Sequence, residues 1–377
     1  MSNQDIEKND KGDECDKGTC QLSDATKLAL RPWLVLVKWL CTDFFKFAIA
    51  HQMKSSRIFF APGYRIMIEY QETLQLNGER RTEKIMKILV AGGTRFFGIP
   101  MIKKLLEDGH DVTIATRGNY KNPFGDRVKH IIMDRLEYES VKLSLKGKQY
   151  DVIIDKIAYC SNDVKNLLEI VKCEKYIQMS SCSVYPNDHE DIGENEFDPK
   201  NEKLVWKNRD ADYPEGKRQA ERAALEYLDM SQCVFVRYPV VMGPNDYTGR
   251  LRFYVDHIQT ETPMYIDDMD CAMAYIHEEE AGEFIAFLAD QDISGPINGS
   301  SLGMISPGEI ISYIEKRSGK NAVLENSGDP APYNGSSANI SYDLSKAGST
   351  GFCFSKIDEW IYGLMDENLG INLWENH

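Results

Sequence analysis

The chain has 377 residues, of which 42% are hydrophobic, and a formal net charge of −15 at pH 7. That length and composition suit one large domain, or two ordinary ones, around a sizeable buried core. The acidic balance argues against sequence-independent nucleic-acid binding and against broad adhesion to anionic membranes, since both draw on Lys and Arg.

Residues 1–22 read as a polar tail rich in Asp5, Glu7, Asp10, Asp13 and Glu14, unlike a basic region feeding an apolar signal sequence. The 9 cysteines include no C-x-x-C pair and no zinc-type spacing. Cys15 and Cys20, the nearest two, have no partner set. The expectation is reduced thiols in a cytoplasmic protein without a metal. Residues 28–50 are apolar, with Trp33, Trp39, Phe44 and Phe45, but Arg31, Lys38, Asp43 and Lys46 interrupt them. A clean membrane span carries few charges. The stretch therefore reads as an amphipathic helix against the main domain or a partner subunit, with an interfacial membrane helix as the alternative. Residues 1–85 form an N-terminal helical extension in this reading.

At Met86 the pattern changes to strand, helix, strand, helix. Short apolar runs at 87–91, 111–116, 128–133, 152–154, 176–179 and 233–236 predict buried parallel strands, and 99–108 has helical periodicity up to Gly109. Such alternation predicts an α/β fold, a doubly wound parallel sheet of the Rossmann type, over 86–377. Turn signals at Gly295-Pro296 and Pro307-Gly308 suggest a smaller C-terminal substrate lobe, mainly over 240–377.

Gly92-Gly93-Thr94-Arg95-Phe96-Phe97-Gly98 falls between the first strand and the first helix. That placement gives the glycines a purpose: the backbone can turn tightly and approach a pyrophosphate at the helix N-terminus. The second strand ends at Thr116 and Arg117, where an acid would select NAD by binding ribose hydroxyls. A guanidinium at Arg117, with Arg95 nearby, favours the 2′-phosphate of NADP, NAD being the alternative cofactor.

Tyr213 and Lys217 are four residues apart and share a face of any helix they occupy. A cation beside a phenol favours phenolate, so Tyr213 suits a general acid/base. Ser180-Ser181-Cys182-Ser183-Val184-Tyr185 closes an apolar strand, and a serine there can stabilise charge on a reacting oxygen.

These motifs, in this order, resemble the extended and atypical short-chain dehydrogenase/reductase family, its NAD(P)-dependent epimerase/dehydratase group. Gly109-His110-Asp111-Val112, Arg237-Tyr238-Pro239-Val240-Val241-Met242-Gly243-Pro244 and Tyr275-Ile276-His277-Glu278 add to the resemblance. It implies Ser181 as the donor to the substrate oxygen, Tyr213 as acid/base and Lys217 as its partner, also bonding the nicotinamide ribose. It implies Asp134 at the adenine, Ile157 and Ala158 lining the cofactor, and Pro239 and Val240 against the nicotinamide amide. Cys182 and Ser183 fall beside the substrate. Arg250 and Arg252, after Gly243-Pro244, are candidates for its diphosphate. Family members often dimerise through helices, which implies a homodimer.

Arg95 replaces the middle glycine of the turn, and such a turn is similar to an atypical branch with chloroplast RNA-binding members. Dehydratases of the family carry an acid pair where this chain has Cys182 and Ser183, which disfavours elimination chemistry. The expected function is an NAD(P)-dependent oxidoreductase or epimerase acting on a small-molecule substrate, a nucleotide-activated sugar. The alternative is a non-catalytic NAD(P)- or RNA-associated protein that kept the fold.

Overall fold

The structure, a computed structural model, describes residues 84–332 and 338–371. The expected tail, the apolar stretch at 28–50 and Cys15 and Cys20 lie outside the described residues.

The elements run β1 (Lys87–Ala91), α1 (Gly98–Glu107), β2 (Asp111–Thr116), β3 (Lys129–Ile132), α2 (Tyr138–Leu145), β4 (Gln149–Asp155), α3 (Ser161–Leu168), β5 (Lys172–Met179), α4 (Tyr213–Ala224) and β6 (Cys233–Arg237). They continue with β7 (Val240–Met242), α5 (Arg250–Thr260), β8 (Met264–Tyr265), β9 (Tyr275–His277), α6 (Glu278–Phe287), β10 (Gly295–Asn298), α7 (Pro307–Ser318), β11 (Asp329–Pro330), α8 (Ser345–Ser349) and α9 (Ile361–Asn368).

Seven strands form one parallel sheet in the order β10-β6-β5-β4-β1-β2-β3. The order reverses between β1 and β4, where such sheets open a ligand crevice at their C-terminal edge. Ile88, Leu89, Val90 and Ala91 of β1 are all fully buried, as a central strand covered on both faces must be. One apolar core joins Ile88, Val90, Met101, Ile102 and Leu105 to Phe284 and Ile285. The opposite core joins Leu89, Ile153, Val164, Leu167, Ala220 and Phe235.

β4 and β5 extend beyond the apolar runs that announce them, because Gln149, Lys172 and Glu174 at their N-terminal ends reach solvent. An apolar run marks only the part of a strand that is covered. Gly295-Pro296, read from sequence as a turn, instead opens β10, the edge strand beside β6. Proline lacks a donor N–H, and an edge position tolerates that. The region after 240 is thus divided. α6 and β10 return to the large sheet. The pair β7–β9 and α5, α7 and α9 build a separate core on Met242, Leu251, Tyr254, Ile310, Ile314 and Leu364. Among the described residues no helix is long and apolar enough to cross a membrane.

Candidate functional site

The glycine turn leaves β1 with Gly92 and Gly93 at φ +101° and +104°, a region side chains avoid. A Cβ on Gly98 would sit 2.7 Å from the Gly93 Cα, so the third glycine lets α1 start against the turn. Phe96 has a left-handed backbone at φ 54°, uncommon for a bulky residue and a mark of local strain. Its ring and that of Phe97 are buried in the sheet core. Gly92 donates its N–H to the Ala115 carbonyl. Among the described residues, the N–H groups of Thr94, Arg95, Phe96 and Phe97 have no protein acceptor. They are donors for an anion.

Arg95 reaches the segment after β2 that carries Arg117. Its guanidinium lies 4.2 Å from the Tyr120 ring centre and 3.6 Å from that of Tyr247, and donates to the Tyr120 hydroxyl at 2.9 Å. Tyr247 also meets Phe96 edge-on. The sandwich joins the segment after β2 to the segment after β7 across the turn. Arg117 is solvent-exposed. The Thr116 hydroxyl accepts from the Gly118 N–H and lies 2.8 Å from His130 Nε2. Asp134 accepts the Leu136 N–H, holding its own turn after β3.

Sequence reasoning names Ile157 and Ala158 but passes over their neighbours Lys156 and Tyr159. The available signal is a lysine directly after β4. Lys156 is buried with its Nζ 3.9 Å from the Phe97 ring centre, and Ile157 covers Gly92. Burial pulls Lys156 down to about 8, and Arg95 pushes the same way. The Tyr159 loop is tied by Arg209, which bonds both the Asp163 carboxylate and the Ile157 carbonyl. Asp163 in turn accepts the Tyr159 N–H. Behind it, Asp155 is paired with Arg135 and accepts from the Tyr176 hydroxyl.

Tyr213 is the first residue of α4, and Pro214 follows in the first turn, where its missing N–H costs nothing. Gly216 lets the helix approach: a Cβ there would lie 2.6 Å from the Tyr159 carbonyl oxygen. Lys217 is fully buried. Its Nζ donates to the carbonyls of Ala158 at 2.8 Å and Met179 at 3.0 Å, so it joins the segment after β4 to the end of β5. The ammonium lies 4.7 Å from the Tyr159 ring centre and 5.7 Å from that of Tyr213. Burial pulls it down to about 7, against the opposing pull of Asp155 and Asp163. Tyr213 is 46% exposed.

Ser181 follows β5 after one residue. Its Oγ accepts the Ser183 N–H at 3.1 Å, a bond that does not use the hydroxyl proton. The Ser180 and Ser183 hydroxyls are buried with no partner among the described residues. Cys182, expected beside the substrate, is instead turned inward: it is 2% exposed, with its thiol on the Arg237 carbonyl. A strand-end turn alternates its side chains, so Ser181 and Cys182 part company. Pro239 lies between β6 and β7 and Val240 opens β7, both half-buried. Arg250 pairs with Asp246 at 3.5 Å. Arg252, offered as a diphosphate ligand, is 63% exposed on α5 and pairs with Asp256, one turn along the same helix.

The fold defines a dinucleotide-fold α/β protein of the short-chain dehydrogenase type, with a glycine turn after β1 and Tyr213 and Lys217 on one face of α4. The chain belongs to the NAD dependent epimerase/dehydratase family, whose pattern matches residues 88–299.

Solved structures similar in fold include the UDP-glucuronic acid 4-epimerase from Bacillus cereus in complex with NAD, 17% identical with a TM-score of 0.56, covering 75% of this chain and 100% of that one. The UDP-glucose 4-epimerase of Thermus thermophilus in complex with NAD is 17% identical with a TM-score of 0.54, covering 76% and 100%. Pal from Bacillus thuringiensis is 20% identical with a TM-score of 0.58, covering 76% and 98%. The chloroplast stem-loop binding protein of 41 kDa b from Arabidopsis thaliana is 36% identical over 115 residues, 26% of this chain. The chain spans 30% of the length of that curated relative.

Proposed function

We propose that the chain is an NAD(P)-dependent oxidoreductase or epimerase acting on a hydroxyl or carbonyl carbon of a nucleotide-activated sugar. The observation that carries this reading is Lys217: a buried ammonium fixed between the β4 and β5 ends, on one helix face with Tyr213. Free N–H donors in the glycine turn fit a dinucleotide pyrophosphate, and Arg117 fits a 2′-phosphate. When bound there, the nicotinamide would supply a hydride donor or acceptor. Asp134, Ile157, Ala158, Pro239 and Val240 would line it.

The chain's own residues handle the proton. Tyr213 takes a proton from the substrate hydroxyl, or returns one to the carbonyl oxygen. Ser181 donates a hydrogen bond to that same oxygen. Lys217 favours the phenolate by charge and holds the helix at the crevice. NAD-complexed UDP-sugar epimerases of similar fold support a sugar nucleotide as substrate. The test is to denature the purified protein and identify any released nucleotide, then assay UDP-glucose and UDP-glucuronic acid with added NAD+ or NADP+. Epimerised or oxidised product supports the reading; no dinucleotide binding and no product overturn it.

A second reading, an RNA-associated protein, draws on the partial likeness to the stem-loop binding protein and on Arg95 stacked between two exposed tyrosines, a platform of the kind that bases stack on. The charge of −15 weighs against it. Micromolar binding of a stem-loop RNA, lost in Tyr247→Ala, would favour it.

A further inference from the structure

Lys156 is an ammonium buried without a counter-ion. It is 8% exposed, and among the described residues no carboxylate or carbonyl accepts from it; its contact is the face of Phe97. Burying a charge without a paired acceptor opposes folding, and an apolar side chain would fill the same space without that cost. The charge is therefore of use to something other than the free chain.

Its surroundings define the chemistry of the ligand. The Lys156 Cβ is 3.7 Å from where a Cβ on Gly92 would lie, and Phe97 is the residue that precedes α1, a helix of 10 residues. Arg95 brings a second cation into the same turn. Helix N-terminus, backbone N–H donors and two cations belong to this turn and its neighbour, and among the described residues no acid pairs with Lys156. Such a place suits a doubly charged diphosphate.

We propose that Lys156 is a phosphate ligand of the dinucleotide, contributing an ammonium to the pyrophosphate from the β4 side of the crevice. The proposal rests on the glycine turn being a dinucleotide site. It assigns Lys156 to the pyrophosphate and leaves the 2′-phosphate to other residues.

Calorimetric titration of NAD+, NADP+ and ADP into the full wild-type chain, K156M and K156R tests this, alongside thermal unfolding of each ligand-free protein. K156M is expected to weaken all three nucleotides by about tenfold or more. K156R, which keeps the charge, is expected to retain most of the affinity. Ligand-free K156M is expected to melt no lower than wild type. Binding of all three by K156M within about twofold of wild type overturns the proposal, as does a loss confined to NADP+. If K156M melts lower and K156R fails to restore affinity, Lys156 is a packing partner of Phe97 and the proposal falls. If wild type binds none of the three, the dinucleotide reading itself fails.

Discussion

The ammonium of Lys217 stands 5.7 Å from the ring centre of Tyr213, one turn away on α4, while donating to the carbonyls of Ala158 and Met179. Helix, β4 segment and β5 end are thus fixed to one another through a single buried charge.

That charge makes stability depend on pH in a stated direction. Lys217 is pulled from 10.5 down to about 7 in the folded chain. Between those values the unfolded chain binds more protons, so this group's contribution to stability rises with pH across that window and is flat below it. Lys217→Met removes the dependence. From about pH 7 to about pH 9 the wild type should gain on the order of 3 kcal/mol relative to the variant. Thermal melting of both proteins across that range checks it; a constant difference in melting temperature would count against the assignment.

Arg117 supplies the test of cofactor choice. It is exposed beyond β2, where Thr116 stands in place of an acid. Arg117→Ala is expected to weaken NADP+ by roughly tenfold and leave NAD+ within about twofold. Equal affinities of wild type and variant for both cofactors would remove the case for NADP.

Arg237 and Glu221 form an ion pair at 2.6 Å with both side chains fully buried. Arg237 also donates to the carbonyls of Glu194 and Phe197 and to the Tyr185 hydroxyl, which ties the segment after Ser181 to β6. Glu221→Leu leaves a buried guanidinium without its partner, at an expected cost of about 3–5 kcal/mol. Urea unfolding measures it, and a loss below about 1 kcal/mol would contradict the role given to the pair.

Much of the fold is legible in the sequence because fully buried parallel strands read as apolar runs; the Ile88-Leu89-Val90-Ala91 run and the glycines after it place the crevice. β10 is not legible, since Gly295-Pro296 carries the chemistry of a turn and becomes a strand only by lying at a sheet edge. Ser181, Tyr213 and Lys217 stand out by spacing, and the fold sets them on neighbouring elements. Lys156 and Tyr159 escape notice because their places depend on contacts with Phe97 and Lys217, far off in sequence. Cys182 departs from expectation for a related reason: which side of the turn faces the crevice is decided by Arg237 and Tyr342 in the core behind it. The orientation of Arg95 follows from two tyrosines, Tyr120 and Tyr247, that no motif marks.

The most direct measurement is turnover of a UDP-sugar by Tyr213→Phe, read beside its dinucleotide affinity. With Tyr213 as the proton carrier, kcat falls by about 10²–10⁴-fold while NAD(P) binds within about twofold of wild type. A variant that turns over substrate at the wild-type rate would contradict the assignment.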